Sequence, residues 1–414
     1  MSSKGKATTV AGDKTALVPK LRFPEFQDAP AWKPVSLRKA SVPVDEPVGE
    51  RKLTPVSISA GIGFVPQAEK FGRDISGNQY QRYTLVRDGD FVFNKGNSLK
   101  FPQGCIYLLQ DWGEVAAPNV FIAFRLKDGY ANGFFQNCFE QNQHGKQLQR
   151  HITSGARSNG LLNISKETFF NVEIPTPKLP EQQKIADCLD SADALIAAQG
   201  RKVEALKAHK KGLMQQLFPQ EGETQPRLRF PEFQYSGQWE PKLLGDLVKS
   251  FKTGKLDANA MVENGKYRFY TCAKSYYQID NYAFEGEALL IAGNGAHLGY
   301  IHHYIGKFNA YQRTYVLQNF DANVVFLKCL LDRYLPSRIL LEKKDGNTPY
   351  IILSTLTEMP LLIPNDTDEQ QCIANCLTSL DDLIAAETCK LDTLKTHKKG
   401  LMQQLFPQVG ERDA

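Results

Sequence analysis

A stretch of forty residues occurs twice in this chain, and that duplication limits its architecture more than any other feature. EQQKIADCLDSADALIAAQGRKVEALKAHKKGLMQQLFPQ at residues 181–220 returns 188 residues later, at 369–408, as EQQCIANCLTSLDDLIAAETCKLDTLKTHKKGLMQQLFPQ. Aligned without gaps, 28 of the 40 positions are identical, and the last twelve match completely. Shared helical composition does not produce such identity, so the chain carries an internal repeat, which sets the frame for everything else.

Each copy reads as one long helix. In the first, apolar residues fall at Ile185, Leu189, Ala192, Ile196, Val203, Leu206, Leu213 and Leu217; in the second, at Ile373, Leu377, Leu380, Ile384, Leu391, Leu394, Leu401 and Leu405. Steps of four and three alternate, with polar gaps at Gln199 and Lys210 and at the matching Glu387 and Lys398. An a/d seam held over four to five heptads is the signature of a coiled coil. Pro219 and Pro407 stop the helices, while Pro180 and Asp368 stand before acidic first turns, where a helix start favours carboxylates. At 1.5 Å per residue, a helix of this size spans roughly 57 Å. Neither seam can bury itself alone, so the two copies are expected to pack on each other. If the intervening segment is one compact domain with neighbouring termini, the helices run antiparallel.

Two registers remain open. Pairing residue numbers that sum to 597 sets Lys210 against Glu387 and Lys398 against Gln199. A sum of 590 overlaps the helices more fully but puts each lysine opposite an apolar residue, from which its ammonium must snorkel. Gly200, inside the first helix, is expected to mark a close helix crossing, since glycine there costs up to ~1 kcal/mol relative to alanine.

A second repeat brackets the first. LRFPEFQ at residues 21–27 recurs at 228–234, and Trp32, Pro34 and Leu37 recur as Trp239, Pro241 and Leu244. The organisation is therefore a leading motif, a variable domain and a long helix, then the same again. The expected bounds are a tail at 1–20, a first variable domain at 21–179, helix one at 180–219, a linker at 220–227, a second domain at 228–367, helix two at 368–407 and a tail at 408–414. The fold class is α+β, with two α/β domains and two long helices forming an antiparallel coiled coil. Strands are expected near 83–87, 90–94, 105–109 and 120–126 in the first insert, and near 267–270, 287–292, 299–305 and 314–318 in the second. Residues 239–248 read as a helix. Dissimilar inserts in matching frames suggest two modules with one job and different targets.

Composition narrows the rest. No apolar run approaches the ~20 residues that a membrane span needs, and the polar first twenty residues contain no signal-peptide stretch. Eight scattered cysteines form no disulfide framework, which points to reduced thiols and a cytoplasmic location. A net charge of +5 is compatible with a polyanionic partner without proving one. Lys207, His209, Lys210 and Lys211 recur as Lys395, His397, Lys398 and Lys399. They could complement a helix C-terminus or contact phosphate.

No catalytic constellation is present. The chain lacks a phosphate-binding G-x-x-x-x-G-K-[ST] loop, an Asn/Asp-Pro-Pro-aromatic tetrad of an amino-methyltransferase, H-E-x-x-H and G-x-S-x-G. No catalytic residue and no metal ligand is assigned. The inserts instead hold polar, basic and aromatic loops suited to reading nucleic acid. In the first these are Asn94, Lys95, Asn97, Ser98 and Lys100, then Arg150, Arg157, Ser158 and Asn159. In the second they are Lys274, Tyr276, Tyr277, Gln278, Asn294, Gln312 and Arg313, then Lys343, Lys344, Asn347 and Thr348. Arginine suits guanine and Asn or Gln suits adenine in the major groove, while lysine serves phosphate.

The arrangement resembles the specificity subunit of type I restriction–modification enzymes. The residues that carry the likeness are R-F-P-E-F before each insert, I-P-x-P-x-L-P-E-Q-Q-K-I-A at 174–186, D-E-Q-Q-C-I-A at 368–374, and K-K-G-L-M-Q-Q-L-F-P closing both helices. The second Ile-Pro, at Ile363, lacks the later prolines, which implies a local loop change. The resemblance implies two target recognition domains, each reading one half of a split, asymmetric site in double-stranded DNA. It also implies a coiled coil that sets the spacing and docks two methyltransferase subunits, which restriction and translocase subunits then join. S-adenosylmethionine, Mg²⁺ and ATP would serve those partners, with no cofactor on this chain. Two rivals are a coiled-coil adaptor whose inserts bind protein, and an enzyme such as an autonomous nuclease.

Overall fold

A computed structural model of the chain describes residues 17–96, 100–152, 161–342 and 350–407. Two compact units result: one holds residues up to Ala198 together with those from Leu391 onward, and the other is Gln199–Lys390. Each unit contains one insert and part of both long helices. Those helices are Leu179–Leu217 and Thr367–Leu405.

In the first unit, two four-stranded sheets are present. One runs in the order Ser41–Pro43, Ile122–Leu126, Asp90–Asn94, Cys105–Leu108; the other runs Gly63–Pro66, Thr54–Ser59, Glu114–Ala117, Thr84–Arg87. Phe91, Phe93 and Phe124 pack with Phe134, Phe135 and Phe139 of the helix Asn132–Glu140. Ile185 and Leu189 of the first long helix join the same core, as do Leu405 and Phe406 from the end of the second. Phe406 packs on Trp32 and Phe134, with ring centroids 6.1 and 5.4 Å apart.

The second unit is built on a six-stranded sheet in the order Val248–Thr253, Thr314–Phe320, Phe284–Ala292, Ile301–Ala310, Tyr267–Tyr270, Tyr277–Ile279. Strand alternation divides its faces. Leu289, Ile291 and Leu317 pack on the helix Val324–Glu342, whose Phe326, Leu327, Leu330 and Leu331 are buried. Ala288, Leu290 and Val316 point to the other face, where they meet Tyr270 and Phe308. The sheet curls. Gly254, just past the first of these strands, would place a Cβ 1.8 Å from the Ala310 carbonyl oxygen, so only glycine fits. Leu217, Phe218, Ile373, Ala374 and Leu377 of the long helices complete this unit's core.

The repeated sequence motifs form the same latch in both units. Arg22 holds Glu181 through two hydrogen bonds of 2.7 Å, and Trp32 Nε1 donates to the same carboxylate at 3.2 Å. Arg229 and Trp239 hold Glu369 with the same distances. Each arginine also donates to two carbonyl oxygens of its own loop, at Ala29 and Pro30 or at Ser236 and Gly237. The neighbouring glutamine is buried as well. Gln182 accepts from the Ala131 N–H and donates to the Pro177 carbonyl; Gln370 accepts from Asn323 and donates to Pro364. The leading motif also reaches the end of the other long helix, Leu21 N–H donating to Gln404 O and Leu228 N–H to Gln216 O, both at 2.9 Å. Just after it, Lys33–Ser36 pairs antiparallel with Glu173–Thr176, and Glu240–Leu243 with Pro360–Ile363. An insert thus begins and ends on one short ribbon at the foot of a long helix.

The helices pair antiparallel in each unit, and their cross-links favour the register near 590. Lys210 donates to Asp381 in the second unit and Lys398 to both carboxylate oxygens of Asp193 in the first. Both lysines leave the seam for an aspartate beside it, as snorkelling requires. The 597 pairing is overturned, because Gln199 meets Glu387 instead: its amide donates to the carboxylate at 2.6 Å and to the carbonyl at 2.9 Å.

Two further expectations fail. Residues 239–248 are not a helix: Glu240–Leu243 is a strand of the ribbon, Leu244–Leu247 a single turn, and Val248 starts the next strand. The latch and ribbon pairing override the helical composition there. Gly200 marks no close crossing, since a Cβ on it would meet nothing within 4 Å. The strands expected near 83–87, 90–94, 105–109 and 120–126 are present as Thr84–Arg87, Asp90–Asn94, Cys105–Leu108 and Ile122–Leu126, and the four expected in the second insert as Tyr267–Tyr270, Phe284–Ala292, Ile301–Ala310 and Thr314–Phe320.

Candidate nucleic-acid interface

Tyr267–Tyr270 lies between two neighbours of the curled sheet, pairing Arg268 with Gln278 on one side and with Phe308 on the other. Alternation puts Arg268 and Tyr270 on the face away from the Val324–Glu342 helix. Tyr304 and His302 come to the same face from the adjacent strand, opposite Ala288 and Leu290. The Arg268 guanidinium carbon lies 4.3 Å from the ring centroid of Tyr276 and 4.6 Å from that of Tyr304. Its Nη1 lies 3.4 Å from the Tyr270 hydroxyl. That hydrogen bond raises the Arg268 pKa further, while burial raises that of the Tyr270 phenol. His302 Nε2 donates to the Ala273 carbonyl at 2.8 Å, so that nitrogen carries the proton. Burial lowers its pKa, so the ring is neutral at neutral pH.

Loops gather beside this cluster. The Arg313 carbonyl accepts from Gly293 N–H at 2.9 Å and from Cys272 Sγ at 3.4 Å. These bonds tie together the loops carrying Lys274 and Tyr276, Asn294, and Gln312 and Arg313. Lys274 and Arg313 are exposed, Tyr276 is 45% exposed, and Asn294 is half-buried. Gln312 is exposed but its amide donates to Asp257 at 2.8 Å. Tyr277 and Gln278 lie on the edge strand, and alternation sends Tyr277 to the other face. Lys343, Lys344, Asn347 and Thr348 lie outside the described residues.

The first unit separates its candidates. Asn94 is buried; its amide donates to the Ile58 carbonyl at 2.8 Å and accepts from the Gly96 N–H at 2.7 Å. That is an Asx turn holding the chain after the strand, so the expectation of a base contact gives way to a structural role. Lys95 is half-buried, and its carbonyl accepts from Leu162. Lys100 is exposed, 5.5 Å from the Phe101 ring centroid, and lies against Gly61 in the turn that joins Thr54–Ser59 to Gly63–Pro66. Arg150 is exposed at the end of the helix Gln143–Gln149. Asn97, Ser98, Arg157, Ser158 and Asn159 lie outside the described residues.

Arg268, Tyr304 and His302 were not legible as site candidates. The alternating Tyr-Arg-Phe-Tyr run was a signal, but only strand pairing brings Tyr304 and Tyr276 to the arginine.

Known proteins of similar sequence and fold share the two-part organisation of the chain. A family described as the type I restriction modification DNA specificity domain matches residues 75–208 and 236–396. The specificity subunit of the type I restriction enzyme EcoDI of Escherichia coli is 40% identical over 176 residues, covering 42% of this chain and 38% of that protein. The specificity subunit of the MjaVIII enzyme of Methanocaldococcus jannaschii is 24% identical over 299 residues, covering 63% of this chain and 67% of that one. The matched stretch thus spans well under half of the first relative's length. Among solved structures, the S subunit of a type I restriction-modification system from M. genitalium superposes with a TM-score of 0.61 at 18% identity, over 95% of this chain and 100% of that one. A chain from a structure of type I R-M complex assembly and conformational transition gives 0.55 at 17%, over 91% and 97%. With both halves of the chain matched, it belongs to the type I restriction–modification specificity-subunit family. Among the described residues, no helix is long and apolar enough to cross a membrane.

Proposed function

We propose that this chain is the DNA-reading subunit of a type I restriction–modification complex and that each insert, residues 21–179 and 228–367, reads one half of a split DNA target. The observation that carries this is the duplicated latch holding two dissimilar domains in equivalent frames. Unlike domains in repeated frames predict a non-palindromic site. The helix pair fixes the separation of the half-sites. The chain performs no chemistry of its own: S-adenosylmethionine, Mg²⁺ and ATP act in the methyltransferase and restriction subunits, and the complex works in the cytoplasm.

Mapping methylated positions in DNA modified by the full chain with the methyltransferase of its own operon tests this reading. The expected result is a single bipartite, asymmetric motif. Unmodified DNA from a well-formed complex would favour a protein-binding adaptor.

Docking of two methyltransferase subunits has support in the helices. Leu195 is 60% exposed and Leu383, its repeat counterpart, 41% exposed, each followed by an isoleucine and two exposed alanines. Apolar side chains in equivalent places on two helices suit two copies of one partner. Leu195→Asp and Leu383→Asp are each expected to weaken capture of one copy by ~30-fold or more, as loss of an interface anchor does. Together they should abolish co-purification while helicity stays unchanged. Full retention of both partner copies by the double variant would refute the assignment.

A further inference from the structure

We infer that Arg268 is a specificity-determining residue of the second insert and reads a guanine in its half-site. The inference rests on the DNA-reading function proposed above and adds a residue and a base to it.

An arginine inside a protein surface ordinarily finds a carboxylate. Among the described residues none forms an ion pair with Arg268, although many other arginines and lysines do pair with a carboxylate, Arg22, Arg229 and Arg338 among them. What holds it is aromatic. Tyr276 and Tyr304 flank the guanidinium at 4.3 and 4.6 Å, and the Tyr270 hydroxyl takes one of its five donors. Cation–π contacts attract the charge without neutralising it and fix the plane of the fork. The side chain therefore keeps its positive charge, has donors left over, and has lost most of the rotamer freedom that binding would otherwise remove.

Such a fork matches the O6 and N7 acceptors of guanine in the major groove, the commonest specific arginine contact. A phosphate would accept the same donors, but it carries no base identity, so losing such a contact would weaken binding to every sequence alike. The surroundings fit a duplex. Tyr276 is exposed beside the arginine, the exposed Tyr300 packs edge-on against His302, and Lys274 and Arg313 stand on adjoining loops. The apolar floor of Tyr270, Leu290 and Phe308 keeps the sheet rigid beneath it.

The test uses the full chain assembled with the methyltransferase subunits of its own system and selects binding sites from a randomised duplex pool at one fixed salt concentration. For Arg268→Ala, one G·C position in one half-site should lose its preference, and the parent site should bind about 10- to 100-fold more weakly. The other half-site should be read as before. Arg268→Lys should relax the same position, because an ammonium cannot make the paired bonds; if alanine unfolds the sheet, lysine carries the test. Two outcomes overturn the assignment. One is weaker binding to every sequence with all preferences intact and rescue by lysine, which defines a phosphate contact. The other is parent behaviour in both variants. A parent complex that selects no sequence would overturn the DNA-reading function itself, and this assignment with it.

Discussion

Replacing Arg229 with alanine is expected to destabilise the second unit by about 3–5 kcal/mol, the usual cost of removing one member of a buried ion pair. Glu369 has 0% side-chain exposure, and without the guanidinium it would keep, among the described residues, only the Trp239 N–H as a side-chain partner. The loss is large because it strands a charge, not because the pair itself is strongly stabilising. Replacing Arg229 and Glu369 together with methionine should therefore recover most of the stability. Hydrogen exchange across Gln199–Lys390, together with denaturant unfolding, measures both variants. A loss below ~1 kcal/mol for Arg229→Ala would show that the latch is dispensable. Set against a typical domain stability of about 5–15 kcal/mol, the expected loss places the unit near unfolding.

The second large effect is on acid stability and lies in the first unit. His144 is buried between Phe93 and Phe139, with ring centroids 6.1 and 5.8 Å away. Among the described residues, neither ring nitrogen has a hydrogen-bond partner of ordinary geometry. Burial pushes its pKa down to about 4, the backbone of Gly104 offsetting only part of this. The unfolded chain takes up a proton near pH 6.5, whereas the folded unit resists protonation until about pH 4. Stability is therefore unaffected above pH 6.5 and falls as the pH drops from there towards 4, by about 3 kcal/mol in all. His144→Leu should remove that slope. The measurement is unfolding free energy of the parent and the variant between pH 7 and pH 4. Parallel curves would mean that His144 is solvated or paired.

Much of the frame was legible in the sequence. The helices announced themselves because a 3.5-residue repeat over forty residues has no other solution, and duplication confirmed each copy with the other. The leading motif was visible as a repeat, but its use was not: Arg22 meets Glu181 across 159 residues, and no local pattern reports such a pair. Register failed for a similar reason. Polar seam residues can be matched charge to charge on paper, whereas Lys210 and Lys398 have stems long enough to reach aspartates outside the seam. The helix Val324–Glu342 was missed because it opens on β-branched residues and contains Pro336. The candidate site was half legible. Loops rich in Lys, Tyr and Asn stood out, and several of them do converge. Arg268 sits within a strand, where alternation usually means structure, and Asn94 showed the reverse error, a polar residue in a loop-like run that serves the backbone.

The core of the first unit has a consequence for how the chain is made. Ile185 and Leu189 pack in a core that Leu405 and Phe406 complete, so the first insert needs residues that are synthesised only after the second insert. A ribosome adding about 5–20 residues per second takes roughly 10–40 s to cover the interval. The second unit, continuous in sequence from Gln199 to Lys390, has all its residues before then. The second unit can therefore close before the first, and a chain truncated before Leu405 would lose the closure of its first unit rather than of its second.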